Sequence, residues 1–272
     1  MAQDEEHITI RILFWNIKKN ESTYSLIGQA VDEYDVDVCV LAEAPINADF
    51  LLIDRLPQGY KFMPPGSDKL KVRYFYGPRI SMKTVGDDTF NRGSMMKLTV
   101  DGKIDLNLVG CHLIDPINYS GNEKSDFAIS FNKFIIDLED KLNSCKTVVV
   151  GDFNMNPFEW GMSSPSAFNS VMCKSVAQRE SCVRFSTVRR FFYNPMWYFF
   201  GHPDLMNGTI YREPYYWNLY DQILIRPELM DGFSHDNINI IQQIKSTPLL
   251  TPKGYIDNKI SDHLPLITTL NI

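Results

Sequence analysis

Apolar and polar positions near the start of the chain follow the periods of a strand, a helix and a second strand. The segment ITIRILFWNI at 8–17 alternates and is rich in β-branched and aromatic residues, which predicts a strand. ESTYSLIGQAVDEY at 21–34 repeats its apolar residues at helical spacing, and DVDVCVLAEA at 35–44 is apolar enough for a buried strand. The chain is therefore predicted to open with a strand–helix–strand unit.

The remainder of the chain is predicted to be rich in strands. A helix fits 122–142, a second helix is predicted near 165–178, and Asp101-Gly102 predicts a tight hairpin turn. The further predicted strands are 72–77, 80–85, 93–100, 105–113, 147–151, 221–227 and 264–272. Many strands with few helices favour a two-layered β core with helices outside it. No repeat or low-complexity linker divides the sequence, so a single domain over 1–272 is expected.

An aromatic tract at 189–217, RRFFYNPMWYFFGHPDLMNGTIYREPYYW, has no clear period. Burial in the core or beneath a loop is the default interpretation, because consecutive aromatic residues are more often buried than exposed to a ligand. A partner surface and a wall of the active site are the alternatives. Around Trp197 and Trp217 the tract could stack on unpaired bases or bind a lipid or sugar headgroup.

Composition and charge narrow the class of protein. Hydrophobic residues make up 44% of the 272 residues and charged residues 22%, which is typical of a globular protein with a substantial core. The formal net charge of -6 argues against a protein that coats nucleic acid. It argues only weakly against a nuclease, since a bound cation and a few local basic residues suffice for one scissile phosphate.

Cysteine usage and hydropathy indicate a cytoplasmic protein. The five cysteines form no CxxC pair, which favours reduced thiols over a disulfide framework. The N-terminal segment 1–15 is acidic and does not have the pattern of a signal peptide. No apolar run approaches the roughly 20 residues that cross a bilayer, so no transmembrane segment is expected.

The predicted strand at 147–151 ends in polar residues. TVVVG is followed by Asp152 and Asn154, which in extended backbone face the same side while Phe153 faces the other. A carboxylate and a carboxamide on one side can hold a water or a cation through hard oxygen ligands. This pair is therefore the strongest candidate for a reactive site.

Other predicted strands also end or begin in polar residues, and such positions are where reactive groups collect. Asn16, His112 and Asp221, taken singly, have ordinary interpretations as caps or turn residues. Glu43 is costly to bury without a partner after VCVLA, and Asp262 and His263 place an acid beside an imidazole. The sequence contains no HExxH, GxSxG or GxxxxGK[ST] pattern. Oxygen ligands with nearby histidines favour Mg²⁺- or Mn²⁺-assisted phosphoester hydrolysis.

The motifs FWNI, LAE, CHL, GDFN, YDQIL and SDHLP, in that order, resemble the endonuclease/exonuclease/phosphatase superfamily. That group includes deoxyribonuclease-I-like and exonuclease-III-like nucleases and phosphoinositide and sphingomyelin phosphodiesterases. The resemblance covers nearly the whole chain. It implies an α/β fold, a four-layered sandwich of two packed, mainly antiparallel sheets flanked by helices.

The resemblance also implies a role for each motif residue. Glu43 would be the main Mg²⁺ ligand, helped by Asn16 and Asp262. Asp152 would orient or deprotonate the attacking water, and Asn154 would position that water or the phosphate. His263 would act on the scissile phosphate with Asp221 orienting its imidazole, and His112 would contact a phosphate oxygen. Which carboxylate is the general base stays open.

Three positions depart from the family's usual residues: Ala42 replaces a glutamine, Cys111 a threonine and Leu219 an arginine. None of the three changes removes a catalytic group, but they weaken any transfer of substrate. Arg73, Arg92 and Tyr119 are candidates for substrate contact, and so are Lys18 and Lys19, for which a solvated surface charge is equally expected.

A nuclease acting on DNA or RNA is the favoured function. The alternatives are a phosphatase or phosphodiesterase acting on small phosphorylated molecules or phospholipid headgroups and, less favoured, an inactive binding scaffold. A scaffold should have lost catalytic residues, and the best-matched ones are all present.

Overall fold

A computed structural model describes residues 8–272. The prediction that no signal peptide is present concerns in part residues 1–7, which lie outside the described range. Among the described residues, no helix combines the length and apolar composition needed to cross a membrane. The five cysteines all fall within the described range, and all are unpaired.

The described strands are numbered in chain order. They are β1 Thr9–Asn16, β2 Val38–Ala42, β3 Lys61–Met63, β4 Val72–Tyr76, β5 Ile80–Asp87, β6 Gly93–Val100, β7 Ile104–His112, β8 Thr147–Asp152, β9 Ser170–Val171, β10 Ser181–Arg184, β11 Thr187–Arg190, β12 Phe192–Tyr193, β13 Ile210–Arg212, β14 Tyr216–Asn218, β15 Asp221–Ile225, β16 Ile238–Ile240, β17 Gln243–Ile244, β18 Thr247–Pro248 and β19 Leu266–Asn271.

The helices are fewer, and most are short. The α-helices are α1 Tyr24–Glu33, α2 Ala48–Ile53, α3 Gly121–Leu142, α4 Trp160–Ser163 and α5 Lys174–Ala177. Four 3₁₀ turns cover Glu21–Thr23, Pro195–Phe199, Pro227–Leu229 and His235–Asn237. The long helix α3 begins with a capping box in which the side chains of Ser120 and Glu123 each bind the other's backbone N–H.

Two large sheets form the centre of the fold. Sheet A has the strand order β16-β19-β1-β2-β4-β3, and sheet B has the order β5-β6-β7-β8-β15-β12-β9. Most neighbouring strands are antiparallel, but the pairs β1–β2, β7–β8 and β9–β12 are parallel. The pairs β10–β11, β13–β14 and β17–β18 stand outside these sheets as small two-stranded units.

Side-chain alternation along β8 shows how the layers are built. Val148 and Val150 belong to the large apolar cluster shared with β1 and β2 of sheet A. Val149 instead packs with Phe131 and Ile135 of α3 on the outer face of sheet B. Because successive strand residues face opposite sides, β8 contributes to both apolar layers. Two packed, mainly antiparallel sheets flanked by helices confirm the predicted α/β sandwich.

The largest error of the sequence-based assignment lies at 165–178. In place of one continuous helix, the segment contains a turn at 165–168, the strand β9 and the four-residue helix α5. The strand edge β12 pairs with β9, so tertiary pairing overrides the local helical spacing. The hairpin at Asp101-Gly102 is confirmed, with both residues at positive φ between β6 and β7.

Candidate active site

Strand register brings the polar strand ends together. Asn16 lies opposite Ala42, the residue before Glu43, in the parallel β1–β2 pair. In sheet B, Asp152 lies opposite both His112 of β7 and Asp221 of β15. The sheets therefore meet with their polar ends at one edge, as expected for a reactive site carried by a rigid scaffold.

Asp221 and His263 form a buried hydrogen-bonded pair. His263 Nδ1 lies 2.7 Å from Asp221 Oδ2, and both side chains are buried. The backbone of His263 is also held in place, because the indole of Trp15 donates a hydrogen bond to the His263 carbonyl at 2.9 Å. His263 Nε2 faces the centre of the site, 3.8 Å from Asp152 Oδ2.

The two ionisable groups of this pair have perturbed pKa values. Burial alone lowers the pKa of His263, but the charges of Asp221 and Asp152 outweigh burial and raise the pKa to about 10. Burial raises the pKa of Asp221, and the attraction to His263 opposes that shift. The raised pKa of His263 therefore favours the positively charged imidazolium at neutral pH. This form suits a group that donates a proton or stabilises negative charge.

Asp152 is the centre of a second set of contacts. Asn16 Nδ2 donates to Asp152 Oδ2 at 3.1 Å and lies 3.4 Å from Glu43 Oε1. His112 Nε2 is 3.4 Å from Glu43 Oε1 and 3.5 Å from Asp152 Oδ2. Glu43 alone of these residues is substantially exposed, with 31% of its side chain accessible. The oxygens of two carboxylates thus share one carboxamide and one imidazole at the open edge of the site.

Several residues of the site hold a left-handed backbone. Non-glycine residues seldom adopt positive φ, and they keep it where surrounding contacts impose it. Such residues here are Lys18 (φ 49°), Lys19 (φ 56°), Glu43 (φ 51°) and Asn154 (φ 53°). The strand ends at Asp152, so the extended backbone on which the Asp152–Asn154 pair was predicted does not reach Asn154, and this is a correction. The Asn154 carboxamide instead donates to the Leu113 carbonyl at 3.1 Å.

The predicted metal ligand Asp262 lies apart from the Glu43 contacts. Its carboxylate forms an ion pair with Lys18 Nζ at 3.0 Å and is 35% exposed. A different group, Asp152, Asp221 and His263, offers ligand atoms within 4.8 Å of one another. The short His263–Asp221 bond commits Nδ1 to a carboxylate, so we interpret this group as a hydrogen-bonded proton-transfer unit rather than as a metal cage.

The three predicted substrate contacts have different surroundings. Arg73 is 2% exposed and binds the carbonyls of Leu70 and Val72 and the carboxylate of Asp49. This is a correction, because a buried guanidinium with those partners is not free to meet a substrate. Arg92 is half-buried, and its carbonyl accepts the His112 N–H at 2.7 Å. Tyr119 is 38% exposed in the loop between β7 and α3.

An exposed aromatic surface adjoins the site, although burial was the default prediction for much of its sequence. Phe192, Tyr193, Met196 and Phe199 of the tract are buried as predicted. Six other rings are 37–56% exposed, and we call them the aromatic rim: Phe158, Phe200, Tyr211, Tyr215, Tyr216 and Tyr255. The rim forms two groups of touching rings, one around Phe158 and one around Tyr211.

The hairpin β13–β14 connects the rim to the His263 pair. Ile210 forms a β-bridge with His263, and the Thr209 carbonyl accepts the N–H of Leu264. The Thr209 hydroxyl accepts the N–H of Asp221 at 3.1 Å. The backbone of this hairpin is therefore paired with the segment that carries the buried imidazole. Consecutive tyrosines at 215–216 were the available sequence signal, but tyrosine alone does not distinguish core from rim.

The sequence matches the family model described as the endonuclease/exonuclease/phosphatase family over residues 13–263. A comparison with curated protein sequences found no significant match. Several solved structures are similar in fold at low sequence identity.

Three of these structures show the range. A humanized TDP2 from D. rerio has a TM-score of 0.60 at 16% identity, covering 97% of this chain and 99% of its own. A mannosyl-6-phosphatase from Bacteroides thetaiotaomicron has a TM-score of 0.61 at 15% identity, covering 97% and 100%. The endonuclease domain of TRAS1, a telomere-specific non-LTR retrotransposon, has a TM-score of 0.58 at 9% identity, covering 97% and 99%. At these identities the likeness shows the fold alone.

Proposed function

The chain belongs to the endonuclease/exonuclease/phosphatase family, and we propose that it is a Mg²⁺-dependent phosphodiester hydrolase that acts on nucleic acid with unpaired bases. The observation that carries the proposal is the convergence of the His263–Asp221 pair on Asp152, opposite Glu43 and His112. Members of the family are phosphoester hydrolases, so the proposal adds the bond type, the cation and the substrate.

The donor atoms of the site fit a hard divalent cation. Glu43 and Asp152 place two carboxylates around the Asn16 carboxamide and the His112 imidazole. Oxygen-rich, acidic sets of this kind suit Mg²⁺. Glu43 and Asn16 would hold the ion, with Asp262 contributing from the Lys18 side. When bound, the cation would neutralise charge that develops on the phosphoryl group.

The remaining residues would divide the work of hydrolysis. Asp152 would orient the attacking water or accept its proton, and Asn154 would help to position that water. His263, held by Asp221, would donate a hydrogen bond from Nε2 to a non-bridging phosphate oxygen and stabilise its charge. His112 would contact a second oxygen from the opposite side. The protein thus positions groups and neutralises charge, which is most of what phosphoryl transfer requires.

The aromatic rim supports nucleic acid as the substrate. Exposed rings can stack on bases, and such stacking tolerates any sequence because every base has a π-face. Two of the candidate basic residues are already engaged, since Lys18 pairs with Asp262 and the buried Arg73 pairs with Asp49. A duplex held through many phosphate contacts would need more free cations, so strands with unpaired bases are favoured. Arg92 and Tyr119 are retained as substrate contacts.

A second candidate is a phosphatase acting on small phosphorylated molecules. It is favoured by the engagement of Lys18 and Arg73, because a small substrate needs fewer phosphate contacts than a polynucleotide does. Such an enzyme would use the site while leaving the rim without a role in catalysis.

The test is a substrate panel assayed with Mg²⁺ and with EDTA. It comprises single- and double-stranded DNA, abasic DNA, RNA, phosphoinositides, mannose 6-phosphate and bis(p-nitrophenyl) phosphate, with Asp152→Asn as the inactive control. We expect Mg²⁺-dependent cleavage of single-stranded DNA or RNA above duplex DNA. Hydrolysis confined to the phosphomonoester would favour the second candidate, and no hydrolysis of any substrate would overturn both.

A further inference from the structure

A buried lysine outside the family motifs contacts the Asp152 loop. Lys124 lies in the first turn of α3, its side chain is 7% exposed, and its Nζ donates to the Asn154 carbonyl at 3.0 Å. The same Nζ donates to Glu159 Oε2 at 2.9 Å. Glu159 Oε1 in turn accepts the N–H of Asn156 at 2.8 Å. We call Lys124 and Glu159 the loop clamp.

The position of Lys124 is unfavourable for the helix itself. A cation in the first turn lies at the positive end of the helix dipole, and an ammonium group is costly to bury. Lys133 of the same helix shows the usual placement of a helical lysine, because it is 72% exposed and pairs with Asp137 one turn later. Helix stability therefore does not explain why a lysine occupies position 124.

The loop clamp acts on the backbone that orients Asp152. Asn154 adopts a left-handed conformation in which its carbonyl accepts a hydrogen bond from Lys124 Nζ. Its N–H donates to Asp152 Oδ1 at 2.9 Å. Asp152 Oδ2 is thereby the oxygen that faces Asn16, His112 and His263. Lys124 is therefore connected to Asp152 through the backbone of Asn154.

The same loop is linked to His112. The Asn154 carboxamide donates to the Leu113 carbonyl, and the Leu113 N–H donates to the Asp152 carbonyl at 2.8 Å. A rotation of Asn154 would therefore displace Asp152 and the end of β7 together. Displacements of about 1 Å in a catalytic group can cost about 100-fold in rate.

We propose that Lys124 is a positioning residue, which holds Asn154 in the left-handed conformation and so directs Asp152 Oδ2 into the site. The inference rests on the proposed function, but it concerns residues that the family motifs do not include. Glu159 shares the task by fixing the Lys124 ammonium and the Asn156 N–H at once.

The experiment compares Lys124→Met with Lys133→Met, which removes an exposed lysine of the same helix. For the Mg²⁺-dependent hydrolysis of bis(p-nitrophenyl) phosphate, measured well below the melting temperature, Lys124→Met should lower kcat about 10- to 100-fold. The KM should change little, since Lys124 touches no substrate. Lys133→Met should leave both constants within about twofold of wild type.

A second background separates positioning from a general loss of structure. In Asp152→Ala, Lys124→Met should lower the residual kcat by no more than about twofold further, because the carboxylate that Lys124 positions is gone. The loss of thermal stability caused by Lys124→Met should persist in that background. An additive loss of kcat, or an unchanged kcat in a folded Lys124→Met protein, would overturn the proposal.

Hydrogen exchange gives a readout that does not need activity. Lys124→Met should accelerate amide exchange in residues 152–159, and Lys133→Met should not. If wild-type protein hydrolysed nothing, the proposed function would fail, and this measurement would still decide whether the clamp orders the loop. Unchanged exchange in a folded Lys124→Met protein would refute the clamp.

Discussion

The antiparallel pair β8–β15 carries a buried charged cluster at each end, and the two clusters differ in how completely their groups are paired. At the end away from the site, Arg226 donates two hydrogen bonds to Glu139, at 2.9 and 3.0 Å, and a third to the Phe191 carbonyl. Its guanidinium also lies 3.6 Å above the ring of Phe192. At the other end, Asp152 and Asp221 face histidines.

Pairing in the Arg226 cluster is nearly complete. Glu139 is fully buried, and Arg190 reaches it at 3.3 Å as a second cation. In the site, by contrast, His112 Nδ1 and Asp221 Oδ1 lack partners among the described residues. A buried polar atom without a partner carries a free-energy cost, which a fold tolerates where a ligand or reaction uses the atom. The Arg226 cluster therefore has the pairing of a structural ion pair, and the other cluster has the unpaired polar atoms expected of the proposed active site.

The largest expected effect is a loss of activity when residues at the Asp152–Asp221 end of the strand pair are changed. Asp152→Asn keeps the shape of the side chain but removes its charge, and His263→Ala removes the imidazole. Each should lower kcat for bis(p-nitrophenyl) phosphate about 1,000-fold, a typical loss for an acid–base group. Neither should unfold the protein, so circular dichroism melts are the companion measurement. A grossly unfolded His263→Ala protein would count against a role confined to the site.

The next largest effect is a loss of stability when the Arg226 cluster is changed. Arg226→Met leaves Glu139 buried with a single cation and should lower the free energy of unfolding by about 3 kcal/mol, measured by urea titration. The double variant Glu139→Leu/Arg226→Met should lose less, because no unmatched charge stays buried between those positions. Both should keep kcat within about twofold of wild type. Loss of kcat in folded protein would show that the two ends are coupled.

A smaller effect is expected at the exposed edge of the site. Glu43→Gln should raise the Mg²⁺ concentration that gives half-maximal activity about tenfold, equivalent to about 1.4 kcal/mol of binding free energy. The measurement is a Mg²⁺ titration of hydrolysis, with Asp54→Asn, an exposed carboxylate after α2, as control. An unchanged titration in Glu43→Gln would remove Glu43 from the proposed ligands.

The smallest effect concerns a histidine outside both clusters. Burial and the nearby charge of Lys174 lower the pKa of His235, opposite to the shift at His263. Its contribution to stability is therefore present above the unfolded-state pKa of about 6.5 and is lost as the pH falls through that value towards the folded-state pKa. His235→Gln should flatten the decline in unfolding free energy between pH 7 and 5, followed by urea titrations. An unaltered slope would contradict the lowered pKa.

Much of the site could be predicted because its residues follow regular strands. Asp152 ends a run of valines whose alternation assigns each neighbour to a face, and Phe153 packs against Phe168 beneath α3 as that alternation requires. Lys124 could not be identified in the same way. The period of α3 places Lys124 on the same face as Ala128 and Phe131, unlike Lys133, but it cannot identify what Lys124 binds, because its partners lie about 30 residues later in the chain.

Local sequence determined most strands, the helices α1 and α3, and the polar residues that end each strand, since the side-chain periods of 2 and 3.6 are properties of the backbone. Tertiary structure alone decided which of these ends meet. The strand orders β19-β1-β2 and β7-β8-β15 bring Asn16, Asp152 and His263 together. The same long-range packing buried Arg73 and exposed the aromatic rim, because burial depends on partners distant in sequence rather than on residue type.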